Sequence, residues 1–263
     1  MRRSAFSALL ALITGITLAF LAIPIVALFT EVPLRDVPSL LGKPAVQDAL
    51  KVTIRTNLIA NALILGFGTP TAWLIARRRF PGRSLVVTLV ELPLVLPPAV
   101  AGIALLAALG PDGLLGGALG DAGIQLVLQT TGVVVALIFV AAPFHLRAAQ
   151  AAFAAVDPRW SEASRTLGAG EARTFARVTV PAALPGLAAG LALAWGRALG
   201  EFGATLMFAG SFRGITQTAP LAIYAEFASD FDGALALSAV LVAVSAALLL
   251  STKLLARDAL ARA

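Results

Sequence analysis

Six long apolar runs, at about 5–30, 56–76, 84–109, 126–146, 184–209 and 233–255, constrain this 263-residue chain more than any other feature. A hydrocarbon core ~30 Å thick needs about 20 helical residues to cross it. Each backbone polar group must then be paired within its own segment. The runs meet that length, and none shows the apolar–polar alternation that a membrane barrel strand requires. They are rich in Ala, Leu, Val and Gly, which lets helices approach one another closely. Only 13% of the residues are charged, against roughly 25% in an ordinary soluble domain, too few to cover a hydrated surface. The expected fold class is all-α: a polytopic membrane protein with six transmembrane helices in a single domain over residues 1–263.

Arg2 and Arg3 precede the first run, as in a secretory signal. The run exceeds the roughly 7–15 residues of a signal core, and no small-x-small cleavage pattern precedes Glu31, so a retained helix is expected. There is no cysteine, which excludes disulfides, thiol catalysis and cysteine metal sites.

With the N-terminus in the cytoplasm, fourteen basic residues fall on the inner side. They include Arg77, Arg78, Arg79, Arg83, Arg147, Arg165, Arg173, Arg177 and the terminal groups as far as Arg262. Five fall outside, Arg35, Lys43, Lys51, Arg55 and Arg213, with Arg197 inside a run. The bias toward one side predicts an N-in, C-in topology in the cell membrane. The net charge of +6 is thus topological. No basic patch interleaved with aromatics appears, so a nucleic-acid partner is not expected.

Between the fourth and fifth runs lies a polar stretch, the loop at about 147–183. Asp157 before Pro158 reads as an N-cap with proline at the first helical position. Trp160, Ala163, Ser164 and Leu167 follow at helical spacing, as one small or apolar face. Gly168 and Gly170 bracket Ala169 at a break where a glycine can take positive φ. A second short helix is expected from Glu171 to about Val180, with Phe175 on one side and Pro181 ending it. The product is a helix–turn–helix knob at the membrane surface, able to pass force to a soluble partner.

Glu162-Ala163-Ser164, three residues, Gly168, nine residues, then Val178-Thr179-Val180-Pro181 resembles the EAA loop of ABC-importer permeases. Ser164 stands for the family's second alanine, and valines for its Ile and Leu. Other stretches are similar to the molybdate-importer permeases in particular: Phe80-Pro81-Gly82, the segment from Glu91 to Pro98, Arg165 to Gly170, Arg197 to Thr205, and Thr216 to Tyr224. Sulfate and tungstate permeases share much of this pattern. The resemblance implies the type I importer permease fold and a homodimer. It also implies two separate ABC ATPase subunits carrying ATP-Mg, and an extracytoplasmic oxyanion-binding protein. No cofactor is then expected on this chain, whose other surroundings are membrane lipid. The cargo would be a tetrahedral oxyanion, molybdate first, with sulfate or tungstate as alternatives. In the family, the loop docks on the ATPase through its glutamate. That marks Asp157, Glu162, Ala163, Gly168, Ala169, Gly170, Phe175 and Pro181 as coupling residues.

Charges and prolines inside the spans stand out on their own physics. Arg197 and Glu201 are four apart, on one helical face. An unpaired charge at membrane depth costs several kcal/mol, so pairing is expected. The pair is either structural or a lining of the pathway near the outer gate, and Glu201 rather than cargo meets the Arg197 charge. Gly200 and Gly203 would admit a close backbone, with Thr205 one turn on. In the third run Pro93, Pro97 and Pro98 follow Glu91 too densely for a regular helix. At membrane depth a broken helix persists where protein buries it or where it lines a wet cavity. Both a packing kink and a gating element fit.

The remaining polar residues read more simply. His145, the single histidine, is expected to cap the fourth span or to face headgroups. Asn57 and Asn61 are expected to hydrogen-bond between helices, Asp230 and Asp232 to sit in a solvated loop, and 220–228 to form a short outer helix. No GxxxxGK[ST] phosphate loop exists, so ATP hydrolysis would belong to another chain. No catalytic or metal constellation appears either, and the chain is not expected to be an enzyme. An ion-gradient transporter would need protonatable chains or broken helices in both halves, and it is the more distant alternative.

Overall fold

The computed structural model of the chain describes residues 2–32 and 37–261. The described residues are almost wholly helical, with no strand among them. In order they are α1 (Arg2–Glu31), α2 (Val37–Gly42), α3 (Pro44–Leu63), α4 (Thr69–Arg77), α5 (Arg83–Val95), α6 (Pro98–Leu109), α7 (Gly116–Asp121) and α8 (Thr130–Ala155). Then come α9 (Pro158–Thr166), α10 (Glu171–Thr174), α11 (Val180–Leu199), α12 (Gly203–Ala209), α13 (Ala219–Phe227) and α14 (Phe231–Ala261). Two π-turns, Ile64–Gly68 and Phe175–Thr179, join α3 to α4 and α10 to α11 without breaking the helical path.

Four segments are long and apolar enough to cross a membrane: Phe6–Glu31, Pro44–Arg77, Thr130–Ala155 and Glu171–Leu199. Pro98–Leu109 and Phe231–Ala247 are shorter apolar helices. Several expected boundaries therefore move. The second span starts at Pro44, since proline suits a first helical turn. The fourth begins at Thr130 and runs on to Ala155, past Arg147. The third divides between Val95 and Pro98, and the fifth stops at Leu199. Arg35 and Arg262, used in reading the orientation, lie outside the described residues.

Both π-turns have the same cause. Each ends two residues before a proline, Pro70 or Pro181. A proline lacks its N–H and crowds the carbonyl four residues back. Widening the preceding turn relieves that crowding. At the second π-turn, the Val180 N–H reaches five residues back to the Phe175 carbonyl. Pro181 therefore does not end a short helix, as its position suggested. The helix continues through it into the span.

Helix α8 is the centre of the bundle, packed against α3, α4, α11 and α12. Small residues bring α11 close: a Cβ added at Gly186 would lie 2.4 Å from the Ala152 Cβ, and one at Gly190 2.8 Å from the Ala148 Cβ. Ala60, Ile64, Val133, Leu137, Ala194 and Ala198 form the middle of the core. His145 is fully buried there, with its Nε2 3.0 Å from the Thr69 hydroxyl at the end of the first π-turn. It does not face headgroups. Asn57 and Asn61 are buried too, and each donates its amide to its own helix, at the Thr53 and Asn57 carbonyls, both 3.0 Å away. The expected interhelical bonds are not made, and both Oδ1 atoms lack a partner.

At the other end of the chain, α13 forms the expected short helix, and Asp230 is more than a solvated loop residue. It accepts from the Gly233 N–H at the start of α14 and pairs with Lys43 at 2.8 Å. The bond with Lys43 holds the Asp230 carboxyl below its usual value and raises the Lys43 ammonium. A depressed carboxyl stabilises the fold above its unfolded pKa, ~3.9, and loses that contribution as pH falls through the lower folded value. A raised lysine contributes until pH climbs through its folded value. The melting-temperature difference between wild type and Lys43→Met should thus stay flat from about pH 5 to 9 and vanish in acid.

Candidate coupling loop and pathway elements

The candidate coupling loop is shorter than 147–183. Only residues 156–170 interrupt the long helices, with α9 inside that interval. Asp157 caps α9 as expected, accepting from the Arg159 N–H at 2.9 Å. Gly168 takes φ +82°, a left-handed conformation that glycine adopts without strain. Its N–H then bonds to the Arg165 carbonyl, and that of Ala169 to the Ser164 carbonyl. Gly170 ends the turn in extended backbone and opens α10.

The face read as Trp160, Ala163, Ser164 and Leu167 divides. Trp160 and Leu167 are 55% and 88% exposed. Ser164 turns the other way, its hydroxyl 3.0 Å from that of Thr174. Ser161 lies 3.5 Å from Thr179, so α9 is held to the second π-turn by a seryl–threonyl edge. Phe175 is the deeper anchor, with ring centroids 5.0 Å from Trp73 on α4 and 6.2 Å from Phe153 on α8. Arg78 pairs with Glu171, and Arg77 donates to the Val156 carbonyl at 2.7 Å. Displacing α9 therefore pulls on both α4 and α11. Glu162 and Ala163 remain exposed, Glu162 at the edge of a cavity that Ser161, Arg78 and Glu171 also line. Sequence spacing marked the outer side of α9. It missed Ser161 and Thr174, whose partners lie 18 and 10 residues away across the turn, and the Arg78–Glu171 pair, 93 residues apart.

The pathway candidates separate into two groups. Glu91 pairs with Arg147 of α8 at 2.5 Å and is not part of the Arg197–Glu201 arrangement. Pro93 is absorbed inside α5, and the helix breaks one turn later, at Leu96-Pro97. Pro98 then opens α6. At the other break, after Leu199, Arg197 Nη2 lies 2.6 Å from Glu201 Oε2, and Glu201 Oε1 accepts from the Ala204 N–H, also at 2.6 Å. The contact with Arg197 is ionic, without hydrogen-bond alignment. One carboxylate thus pairs with the cation in the last turn of α11 and caps the first turn of α12. The Glu201 side chain is fully buried and that of Arg197 26% exposed.

The two breaks meet. A Cβ on Gly203 would come within 2.8 Å of the Pro98 Cβ, and one on Gly102 within 2.7 Å of the Ala204 carbonyl oxygen. The first residues of α6 and α12 touch. Gly200 does not serve this approach, because a Cβ there meets nothing nearer than 3.8 Å. The atom at that distance is the Gly196 carbonyl of the same helix, and no other segment comes close. Thr205 is wholly buried, and its hydroxyl has no hydrogen-bond partner. Gly203→Val should therefore lower stability by about 1–3 kcal/mol through overpacking against Pro98. Gly200→Ala should be neutral or slightly stabilising, and thermal unfolding of the detergent-purified protein compares them.

Residues 68–260 match the family of binding-protein-dependent transport system inner membrane components. This chain belongs to that family. It is an inner-membrane transport component, not an enzyme. The molybdenum transport system permease protein ModB of Mycobacterium tuberculosis is 41% identical over 89% of this chain and 88% of its own length. The sulfate transport system permease protein CysT of Escherichia coli K12 is 37% identical, over 79% and 76%. Among solved structures, a bacterial ABC transporter that imports the acidic polysaccharide alginate superposes with a TM-score of 0.79 at 20% identity. The match covers 98% of this chain and 96% of that one. The MetNI methionine ABC transporter gives 0.59, over 82% and 94%. These likenesses establish the permease fold.

Proposed function

We infer that this chain is the permease subunit of an ATP-driven ABC importer that brings a tetrahedral oxyanion, molybdate first, into the cytoplasm. The observation that carries the coupling role is the knob. Its exposed residues Trp160, Glu162 and Leu167 are open to a soluble subunit, while Phe175 and the Arg78–Glu171 pair tie its inner side to α4, α8 and α11. Two copies of the chain would work with two ATPases, which bind ATP-Mg, and with an extracytoplasmic binding protein. Closure of the ATPases would draw the two knobs together. Each nucleotide state would then favour one of two helix arrangements. The meeting of α6 with α12 supports a pathway element there, since broken helices persist at membrane depth where protein buries them or where they border a wet cavity.

The cargo reading rests on the 41% identity to ModB. CysT at 37% keeps sulfate as the second reading. Reconstitution with the partner ATPase and binding protein in liposomes tests both, by ATP-driven molybdate uptake with tungstate or sulfate as competitor. Block by tungstate and not by excess sulfate is the expected result. Block by sulfate moves the protein to the sulfate branch.

A further inference from the structure

Two cavities share Phe175 as a lining residue. One, of about 350 Å³, lies where α9 and α10 face the end of α4 and carries Arg77, Arg78 and Arg165 beside Glu162 and Glu171. The other, of about 560 Å³, is an apolar slot between the two helices that contain the π-turns, lined by Leu65, Pro70, Ala176, Leu184, Ala188 and Leu191 among others. Phe175 borders both. The π-turns account for the slot, since each displaces its helix locally before a proline, one at Leu65 and Gly66 and the other at Phe175 and Ala176. Leu65 and Leu184 are 41% and 50% exposed along it.

We propose that this composite cavity binds one phospholipid from the leaflet on the knob's side, with an acyl chain in the slot and the headgroup phosphate at the arginines. Three features favour that occupant. From Val180 to Leu191 the helix rises about 16 Å at 1.5 Å per residue, which is about one leaflet of a ~30 Å core. The slot is apolar and shares Phe175 with the basic cavity, so an apolar lining is followed by a basic one, the order of chemistry along a phospholipid. The basic cavity also keeps an uncommitted cation: Arg78 is taken by Glu171 and Arg77 by the Val156 carbonyl, while the Arg165 side chain has neither an ionic nor a hydrogen-bond partner among the described residues. Three arginines against two carboxylates leave the pocket net positive, as a phosphate requires. A lipid seated here would touch α4, α11 and the knob together, at the place where a displacement of α9 is passed to the spans.

The test uses the full chain in nanodiscs with phosphatidylglycerol carrying a photoreactive group on its acyl chain, and peptide mapping of the adducts. Labelling is expected to concentrate on 65–70 and 176–191. Arg165→Gln, which removes an exposed and unpartnered side chain, should lower that labelling at least fivefold and leave labelling of α1 unchanged. Ala188→Phe, which fills the slot, should do the same from the apolar end. Even labelling over all exposed spans, or equal labelling by a photoreactive diacylglycerol that has no phosphate, overturns the proposal. The chain has no cysteine, so Leu184→Cys gives a single reporter. Its reaction with a membrane-impermeant maleimide shows a wet slot, and a disulfide with a second copy shows a subunit contact. Either result also overturns the lipid. Protection of the arginines by inorganic phosphate, with no adduct in the slot, would identify a free-anion site instead.

Discussion

Arg197→Met should lower stability by about 3–5 kcal/mol, because it leaves the fully buried Glu201 without its counter-charge. Against a total of roughly 5–15 kcal/mol, that is a large share. The apparent melting temperature of the detergent-purified protein should fall by on the order of 10 °C, and the folded yield in membranes with it. Glu201→Met removes the same pair and also the cap on α12, so it should be at least as damaging. The double variant Arg197→Met/Glu201→Met takes both charges out of the protein, leaving chiefly the lost cap, worth ~1 kcal/mol. It should therefore be more stable than either single variant. Strictly additive effects of the two single changes would show that the residues do not act as a pair.

Glu162→Lys should have the largest functional effect and little structural one. The residue is exposed on α9 and makes no ion pair or hydrogen bond among the described residues, so stability should change by no more than ~0.5 kcal/mol. Reversing its charge should nonetheless cut ATP-driven uptake at least tenfold, equivalent to about 1.4 kcal/mol of coupling between nucleotide state and helix arrangement. Permease yield would be unchanged. The measurement is ATPase stimulation by the cargo-loaded binding protein in proteoliposomes, alongside uptake. Normal stimulation in a well-folded Glu162→Lys complex would remove Glu162 from the coupling role. Ser164→Ala, which gives up the hydroxyl contact with Thr174, supplies the contrasting case of a small loss in stability with uptake kept.

The parts of the site that could be read in the sequence are those built from neighbours. Asp157 caps the helix that starts with the next residue, Gly168 ends it with a positive φ, and Arg197 reaches Glu201 one turn away. All three are interactions over a few residues, fixed by helical geometry before any tertiary packing exists. Pro181 was misleading for the opposite reason. A proline ends a helix when nothing else holds it, but here Phe175, packed on Trp73 and Phe153, secures the turn before it, and a π-turn absorbs the strain. The pairing of Glu91 was not legible either: its partner Arg147 is distant in sequence and is supplied by the packing of α5 on α8. Gly200 and Gly203 have the same residue type and nearly the same position. Only the path of the chain decides that Pro98 meets the second and no other segment meets the first.

What the sequence by itself determined was the solvent and the local grammar. Long apolar runs with few charges require a membrane, and caps, glycines and proline spacing shape the knob between two spans. What the tertiary structure decided was which distant pieces share a place. It joined the break at Leu96-Pro97 to the break after Leu199. It buried His145 against Thr69 and turned the Asn57 and Asn61 amides onto their own helix. It also drew Arg78 to Glu171, 93 residues away. Such pairings depend on how α8 packs against its neighbours, and that packing is set by close approach at Gly186 and Gly190 and by the volumes that face them, summed over the whole bundle.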